Sequence, residues 1–140
     1  MRVLALDYGS ARCGCALSDP TGTLATPIQP VLRAGSKAGL AALRDLVAQQ
    51  EVGRVVVGLP LSLSGGDSDQ TRATRAFADR LRGALGPGVP VELYDERFTT
   101  AIAQRAAAAG DRAAEDSRAA AVLLDDWLAR HGHERGVGTP

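Results

Sequence analysis

Four acidic residues stand where their type and spacing favour chemistry. Asp7 directly follows the apolar run 3–6, and Asp95 and Glu96 directly follow the strand-like run 89–94. A single acid after a strand is often only a turn former. In open sheets with parallel strands, however, reactive residues lie beyond the carboxyl ends of the strands. Asp7 and the pair at 95–96 are therefore expected to converge on one pocket.

Asp116 is the fourth acid, and its helical position is unusual. On a wheel of about 100° per residue, Ala120, Leu123 and Trp127 all lie within about 40° of it. The acid therefore occupies the middle of the apolar stripe that must dock on a sheet. A carboxylate there is costly unless it is paired or binds a cation. The alternative is an acid of the first helical turn that the helix dipole stabilises.

Acids of this kind, without a cluster of His residues, favour a hard cation. Oxygen ligands suit Mg²⁺ or Mn²⁺, whereas zinc prefers His or Cys. Two such ions about 4 Å apart activate a water and stabilise the leaving oxygen of a phosphodiester. Arg12 and Arg97 are close to the acids in sequence and are candidate phosphate contacts, with a structural ion pair as the alternative. Thr99 is a candidate helix cap and a further candidate phosphate contact.

The elements that must position these residues follow the order β-β-β-α-β-α-β-α-α. A hairpin-type start followed by βαβ units predicts an α/β fold with a five-stranded mixed sheet, its first three strands antiparallel and helices on its faces. Pro27 and Pro30 place the third strand at the sheet edge. Ser36 is a predicted helix cap. Further helices are predicted over about 17 residues before Gly86, from Thr99 or Thr100 to about 109, and from about 113 to 130.

Length and composition limit the remaining choices. The chain has 140 residues, so a single domain over 1–130 with a flexible C-terminal tail over 131–140 is expected. Sixteen basic and sixteen acidic residues give a net charge of zero, so nucleic-acid binding would require segregated charge. No signal peptide fits, and no apolar stretch approaches ~20 residues, so a cytoplasmic protein without a membrane partner is expected.

Taken together, these motifs resemble the YqgF/RuvX family, the pre-16S rRNA nucleases also called Holliday-junction-resolvase-like proteins. The matching residues run in order through almost the whole chain: Leu6-Asp7-Tyr8-Gly9 with Arg12, Gly14 and Ser18-Asp19; Val57-Gly58-Leu59-Pro60; Asp95-Glu96-Arg97-Phe98-Thr99-Thr100; and Asp116 with Ala119-Ala120, Leu123-Leu124 and Trp127-Leu128. Two departures reduce the expected affinity for nucleic acid: Ala11 replaces a common Lys, and the segment 110–115 is less basic than in many relatives.

The resemblance implies a ribonuclease H-like fold and a metal-dependent nuclease that matures the 5′ end of pre-16S rRNA during ribosome biogenesis. It implies that Asp7, Glu96 and Asp116 are catalytic ligands of Mg²⁺ or Mn²⁺, with Asp95 in reserve for the second position. Arg12 and Arg97 would contact phosphate. The expected partners are pre-rRNA and ribosomal particles, or else branched DNA, with the chain a monomer or a weak homodimer.

Three other functions stay open at this point. The first is a Holliday junction resolvase, which would act as a dimer on a two-fold symmetric junction. The second is a non-catalytic RNA-binding module that has kept the fold. The third is an actin-like ATPase or sugar kinase, in which an Asp-x-Gly turn binds phosphate and Mg²⁺, but such proteins need a second domain that 140 residues do not provide.

Overall fold

The computed structural model describes residues 1–61, 66–96 and 112–137, and within the last stretch it describes the side chains of 117–131. The elements in chain order are β1 (Arg2–Asp7), β2 (Arg12–Ser18), β3 (Ala25–Leu32), α1 (Lys37–Gln49), β4 (Val52–Leu59), α2 (Asp69–Leu85), β5 (Val91–Asp95) and α3 (Arg112–Val137). The helix predicted to begin at Thr99 or Thr100 lies outside the described residues.

One five-stranded mixed sheet with the order β3-β2-β1-β4-β5 organises the chain, as the sequence predicts. β2 pairs antiparallel with both β1 and β3, while β4 is parallel to β1 and β5 is parallel to β4. The two prolines of β3 lie in an edge strand, where a missing N–H leaves no central ladder bond unmade. The carboxyl ends of β1, β4 and β5 therefore meet at the same edge.

Hydrophobic layers cover both faces of the sheet. Leu4 and Leu6 point to the layer that α1 and α2 complete, around Phe77. Val3 and Ala5 point to the opposite layer, which α3 covers with the apolar stripe predicted from its helical period. Successive residues of a strand alternate between faces, so β1 divides its side chains between the two layers. This alternation decides on which face each acid at the end of a strand lies.

The helix termini agree with the predicted signals, with one difference. The Ser36 hydroxyl caps α1 by accepting the Gly39 N–H at 3.0 Å, and α2 spans the predicted 17 residues. α3 continues to Val137, seven positions past its predicted end at Arg130. The ring of His131 stacks on Trp127 at a centroid distance of 4.3 Å, a contact that favours helix beyond that point. None of the helices in the described stretches has the length and apolar run that a bilayer crossing requires.

Candidate active site

Asp7 and Glu96 lie in the same cleft at the carboxyl edge of the sheet. The β-ladder pairs Leu6 with Val57 and Leu59 with Asp95, so the three strands end side by side. The cleft has a volume of about 240 Å³. The described residues that line it are Asp7, Tyr8, Gly9, Arg12, Pro60, Gln70 and Glu96. Asp7 and Glu96 are far apart in the sequence but lie in one cleft, as the strand order predicts.

Glu96 and Asp95 lie toward opposite faces of the sheet. A Cβ built on Gly58 would lie 2.6 Å from Glu96 Oε2 and 2.9 Å from Leu123 Cδ2, which places the carboxylate beside the layer that α3 covers. Asp7 continues the alternation of Val3 and Ala5 toward that same layer. Asp95 follows the alternation of Leu93 toward the opposite layer and is not among the residues that line the cleft.

Glu96 is more enclosed than Asp7, with 1% of its surface exposed. Burying a carboxylate to this degree is costly unless polar or cationic partners compensate for the lost hydration. Gly58 leaves the space that the carboxylate fills, because a methyl group at this position would collide with Glu96 Oε2. Two carboxylates facing one small cleft form an oxygen donor set that fits Mg²⁺ or Mn²⁺.

The third predicted ligand is placed only by its backbone. Asp116 lies near the start of α3, and its side chain is outside the described set. Among the described residues, no group of three His, Cys, Asp or Glu side chains is arranged to hold a metal ion. The role of Asp116 as a ligand therefore stays a prediction. The next residue, Ser117, contacts β2 and β3, so the start of α3 lies against the sheet.

Of the predicted phosphate contacts, Arg12 lines the cleft beside Asp7. It is half-buried and forms no ion pair with any residue of the described stretches, so the structural alternative of a salt bridge is not observed there. Arg97 and Thr99 lie outside the described residues. Their predicted contacts with nucleic acid stay predictions.

Two lining residues, Tyr8 and Gln70, are not among the site residues that the sequence predicts. The Tyr8 ring stacks on Phe77 at a centroid distance of 4.3 Å, which holds the turn after β1 against α2. Gln70 Nε2 donates a hydrogen bond to the Tyr8 carbonyl at 3.0 Å. The turn is tight, since a Cβ on Gly9 would lie 2.6 Å from the Arg12 carbonyl oxygen. The sequence feature that could have identified Gln70 is its position in the first turn of the helix that follows β4.

A hydrogen-bonded group connects α3 to β5 close to Glu96. The Tyr94 hydroxyl donates to Asp126 Oδ2 at 2.6 Å, and Arg130 Nε donates to the same oxygen at 3.0 Å. Burial raises the pKa of the Tyr94 phenol to about 12, and the Asp126 carboxylate adds to this shift. Tyr94 therefore keeps its proton and donates to Asp126 throughout the neutral pH range.

The chain is similar to known proteins in sequence and in structure. Residues 1–130 match the family model RuvX, which is described as Holliday junction resolvase. A protein of Koribacter versatilis named "Putative pre-16S rRNA nuclease" is 41% identical over 140 aligned residues, covering 96% of this chain and 90% of that protein. A protein of the same name from Anaeromyxobacter sp. (strain Fw109-5) is 44% identical, covering 91% and 96% of the two chains.

The sheet and helices of this chain also superpose on a solved ribonuclease H-like structure. Thermus thermophilus RuvC aligns with a TM-score of 0.58 over 94% of this chain and 97% of RuvC, at 17% sequence identity. At that identity the likeness concerns the fold alone, and it confirms the predicted ribonuclease H-like class.

Proposed function

The chain belongs to the RuvX family, and from this premise we propose that it is a metal-dependent nuclease that matures the 5′ end of pre-16S rRNA in the cytoplasm. The substrate follows from relatives named for pre-16S rRNA, which match more than nine-tenths of this chain. The observation that carries the proposal is the meeting of Asp7 and Glu96 on one face of one cleft.

The acids, Arg12, Tyr8 and Gln70 have distinct tasks in this proposal. Asp7 and Glu96, together with Asp116 from α3, supply carboxylate oxygens to Mg²⁺ or Mn²⁺. When bound, the metal polarises water and neutralises charge on the phosphodiester. Arg12 donates hydrogen bonds to a phosphate oxygen beside the acids, where its planar guanidinium suits the geometry of the anion. Tyr8 and Gln70 keep the turn after β1 in place, so that Asp7 holds its position.

Positive charge gathers beside this cleft although the whole chain is neutral. We use "basic rim" for Arg12, Arg33, Lys37 and Arg80. Lys37 begins α1 directly after Ser36, whose hydroxyl donates to the Arg33 carbonyl at 2.7 Å. The Arg33 N–H donates to the Ala11 carbonyl at 3.0 Å, which puts Arg33 next to Arg12. A Cβ on Gly35 would lie 2.8 Å from Arg80 Nη2 and 3.0 Å from the Tyr8 hydroxyl, so Arg80 reaches the same loop.

The basic rim is not ion-paired within the described part of the chain. Its four members take part in none of the ion pairs found there, whereas Arg72, Arg75 and Arg82 each pair with an aspartate on or just before α2. The segment 33–43 also contains no acidic residue. This local excess of positive charge beside the cleft supports binding to a phosphate backbone.

Removing a cation from the basic rim is expected to weaken binding of single-stranded RNA in a salt-dependent way. Arg33→Ala and Arg80→Ala should each reduce the slope of log K against log salt by about 0.7, the value for one phosphate contact on a single strand. Fluorescence anisotropy in EDTA measures binding without cleavage. Arg44→Ala is the matched control, because Arg44 is exposed on α1 about two turns beyond Lys37 and should leave the slope unchanged. Equal slopes for all the variants would exclude the basic rim from the interface.

The substrate is tested by cleavage of two nucleic acids under matched conditions. With Mg²⁺ or Mn²⁺, the protein is expected to cut an RNA that spans the 5′ end of 16S rRNA faster than a four-way DNA junction, and EDTA should abolish cutting. The junction is the appropriate competitor because the matching family model is described as a resolvase. Cleavage of the junction alone would establish the resolvase function instead. Binding without cleavage of either substrate would indicate a non-catalytic module.

A further inference from the structure

We propose that Ser117 is a positioning residue whose hydroxyl, inserted at a bulge between β2 and β3, holds the start of α3 so that Asp116 is presented to the Asp7–Glu96 cleft. The inference rests on the proposed function, because it assigns a task to a residue beside a predicted metal ligand. Ser117 itself lines no described part of the cleft and needs no contact with metal or substrate.

The contacts of Ser117 are unusual for a helix residue. Its Oγ donates a hydrogen bond to the Ile28 carbonyl of β3 at 2.6 Å and lies 3.5 Å from the Cys15 N–H of β2. The side chain is 3% exposed, so both contacts are shielded from water. A buried hydroxyl of this kind joins three elements, α3 and two neighbouring strands, through one atom.

An irregularity in the sheet provides the place for this hydroxyl. The ladder pairs Cys13 with Val31 but Cys15 with Ile28, so the register between β2 and β3 shifts by one residue at this point. Such a bulge disrupts the local strand-to-strand hydrogen bonds. Ser117 Oγ approaches the backbone groups at the bulge, and buried backbone groups need such a partner.

The bulge lies close to the acids. Gly14, the residue between the two cysteines, pairs with Asp7 across the β1–β2 ladder. Ser117 is thus fixed about one strand away from Asp7, and Asp116 immediately precedes it. The other described polar connection of α3 to the sheet, from Asp126 to Tyr94, lies more than two helical turns further along. Ser117 is therefore the described polar contact that fixes the beginning of the helix.

The test is the affinity of the full chain for Mn²⁺ alone, measured by calorimetry without nucleic acid. Ser117→Ala is expected to weaken Mn²⁺ binding about 10-fold, as the loss of a residue that orients a metal ligand typically does. Ser117→Cys keeps a weaker hydrogen-bonding group at nearly the same volume and should give an intermediate affinity. If Ser117→Ala does not fold, the Mn²⁺ affinity of Ser117→Cys tests the proposal in its place.

Ser18 provides a matched control at the other edge of the sheet. Its Oγ accepts the Val3 N–H at 2.8 Å beside a second register shift, and the residue is 2% exposed. Ser18→Ala should lower the melting temperature by about 4 °C, much as Ser117→Ala does, because each loses a buried hydroxyl. Only Ser117→Ala should lose Mn²⁺ affinity. Equal affinity losses in the two variants would show a general effect of stability and overturn the proposal.

An Asp7→Asn variant separates this inference from the proposed function. Loss of Mn²⁺ binding in Asp7→Asn with unchanged binding in Ser117→Ala would overturn the positioning role and leave the metal site intact. Unchanged Mn²⁺ binding in Asp7→Asn would instead contradict the metal site on which the inference rests. Loss of Mn²⁺ binding in both Asp7→Asn and Ser117→Ala, with the affinity of Ser18→Ala unchanged, supports both the metal site and the positioning role.

Discussion

Asp7→Asn is expected to reduce metal-dependent cleavage of RNA by more than about 100-fold, beyond the loss typical of residues that only orient a ligand. Asparagine matches aspartate in shape but lacks the negative charge that attracts a divalent cation. The side chain is half-buried at the end of β1 and borders the cleft, so the substitution should leave the sheet unchanged. Initial rates in saturating Mg²⁺ give the effect, and a thermal melt shows that the variant is folded.

Asp19→Asn is the matched control for this measurement. Its carboxylate accepts the backbone N–H groups of Thr23 and Leu24 at 2.8 and 2.9 Å, and a hydrogen bond from the Thr21 hydroxyl is the main cause of its lowered pKa. Asp19 therefore shapes the turn after β2, at the sheet edge opposite the cleft. This variant should keep wild-type cleavage. If Asp7→Asn cleaves as fast as the control, Asp7 is not a ligand.

Glu96→Gln is expected to have an effect of similar size, whereas Asp95→Asn should retain most of the activity. The two acids are neighbours in sequence, but Glu96 lies beside Gly58 in the cleft while Asp95 follows the opposite face of β5. Cleavage rates and Mn²⁺ affinity of the two variants decide which acid binds the metal. Each substitution replaces a carboxylate with its amide, so the two variants lose the same single charge at adjacent positions.

Two results would contradict this assignment. A loss in Asp95→Asn with an active Glu96→Gln would make Asp95 the ligand, the reserve choice left by the sequence. Full activity in both variants would remove the second carboxylate from the mechanism altogether.

Local pattern in the sequence determined most of the architecture. The two prolines of β3 placed it at an edge, the Ser36 cap started α1, and the apolar stripe of Ala120, Leu123 and Trp127 predicted the face of α3 that packs on the sheet. Each of these signals acts over a few residues, through a missing N–H, a cap or a 3.6-residue period. The order of strands and helices then placed Asp7 and Glu96 at one edge, because parallel strands end together.

Tertiary structure alone decided the rest. Whether Asp95 or Glu96 lines the cleft depends on which face of the sheet α3 covers, and the space for the Glu96 carboxylate depends on Gly58 in a different strand. The bridge from Ser117 to Ile28 joins positions 89 apart and exists only because the register between β2 and β3 shifts by one residue. Such contacts are set by packing between distant segments, which a local period does not encode.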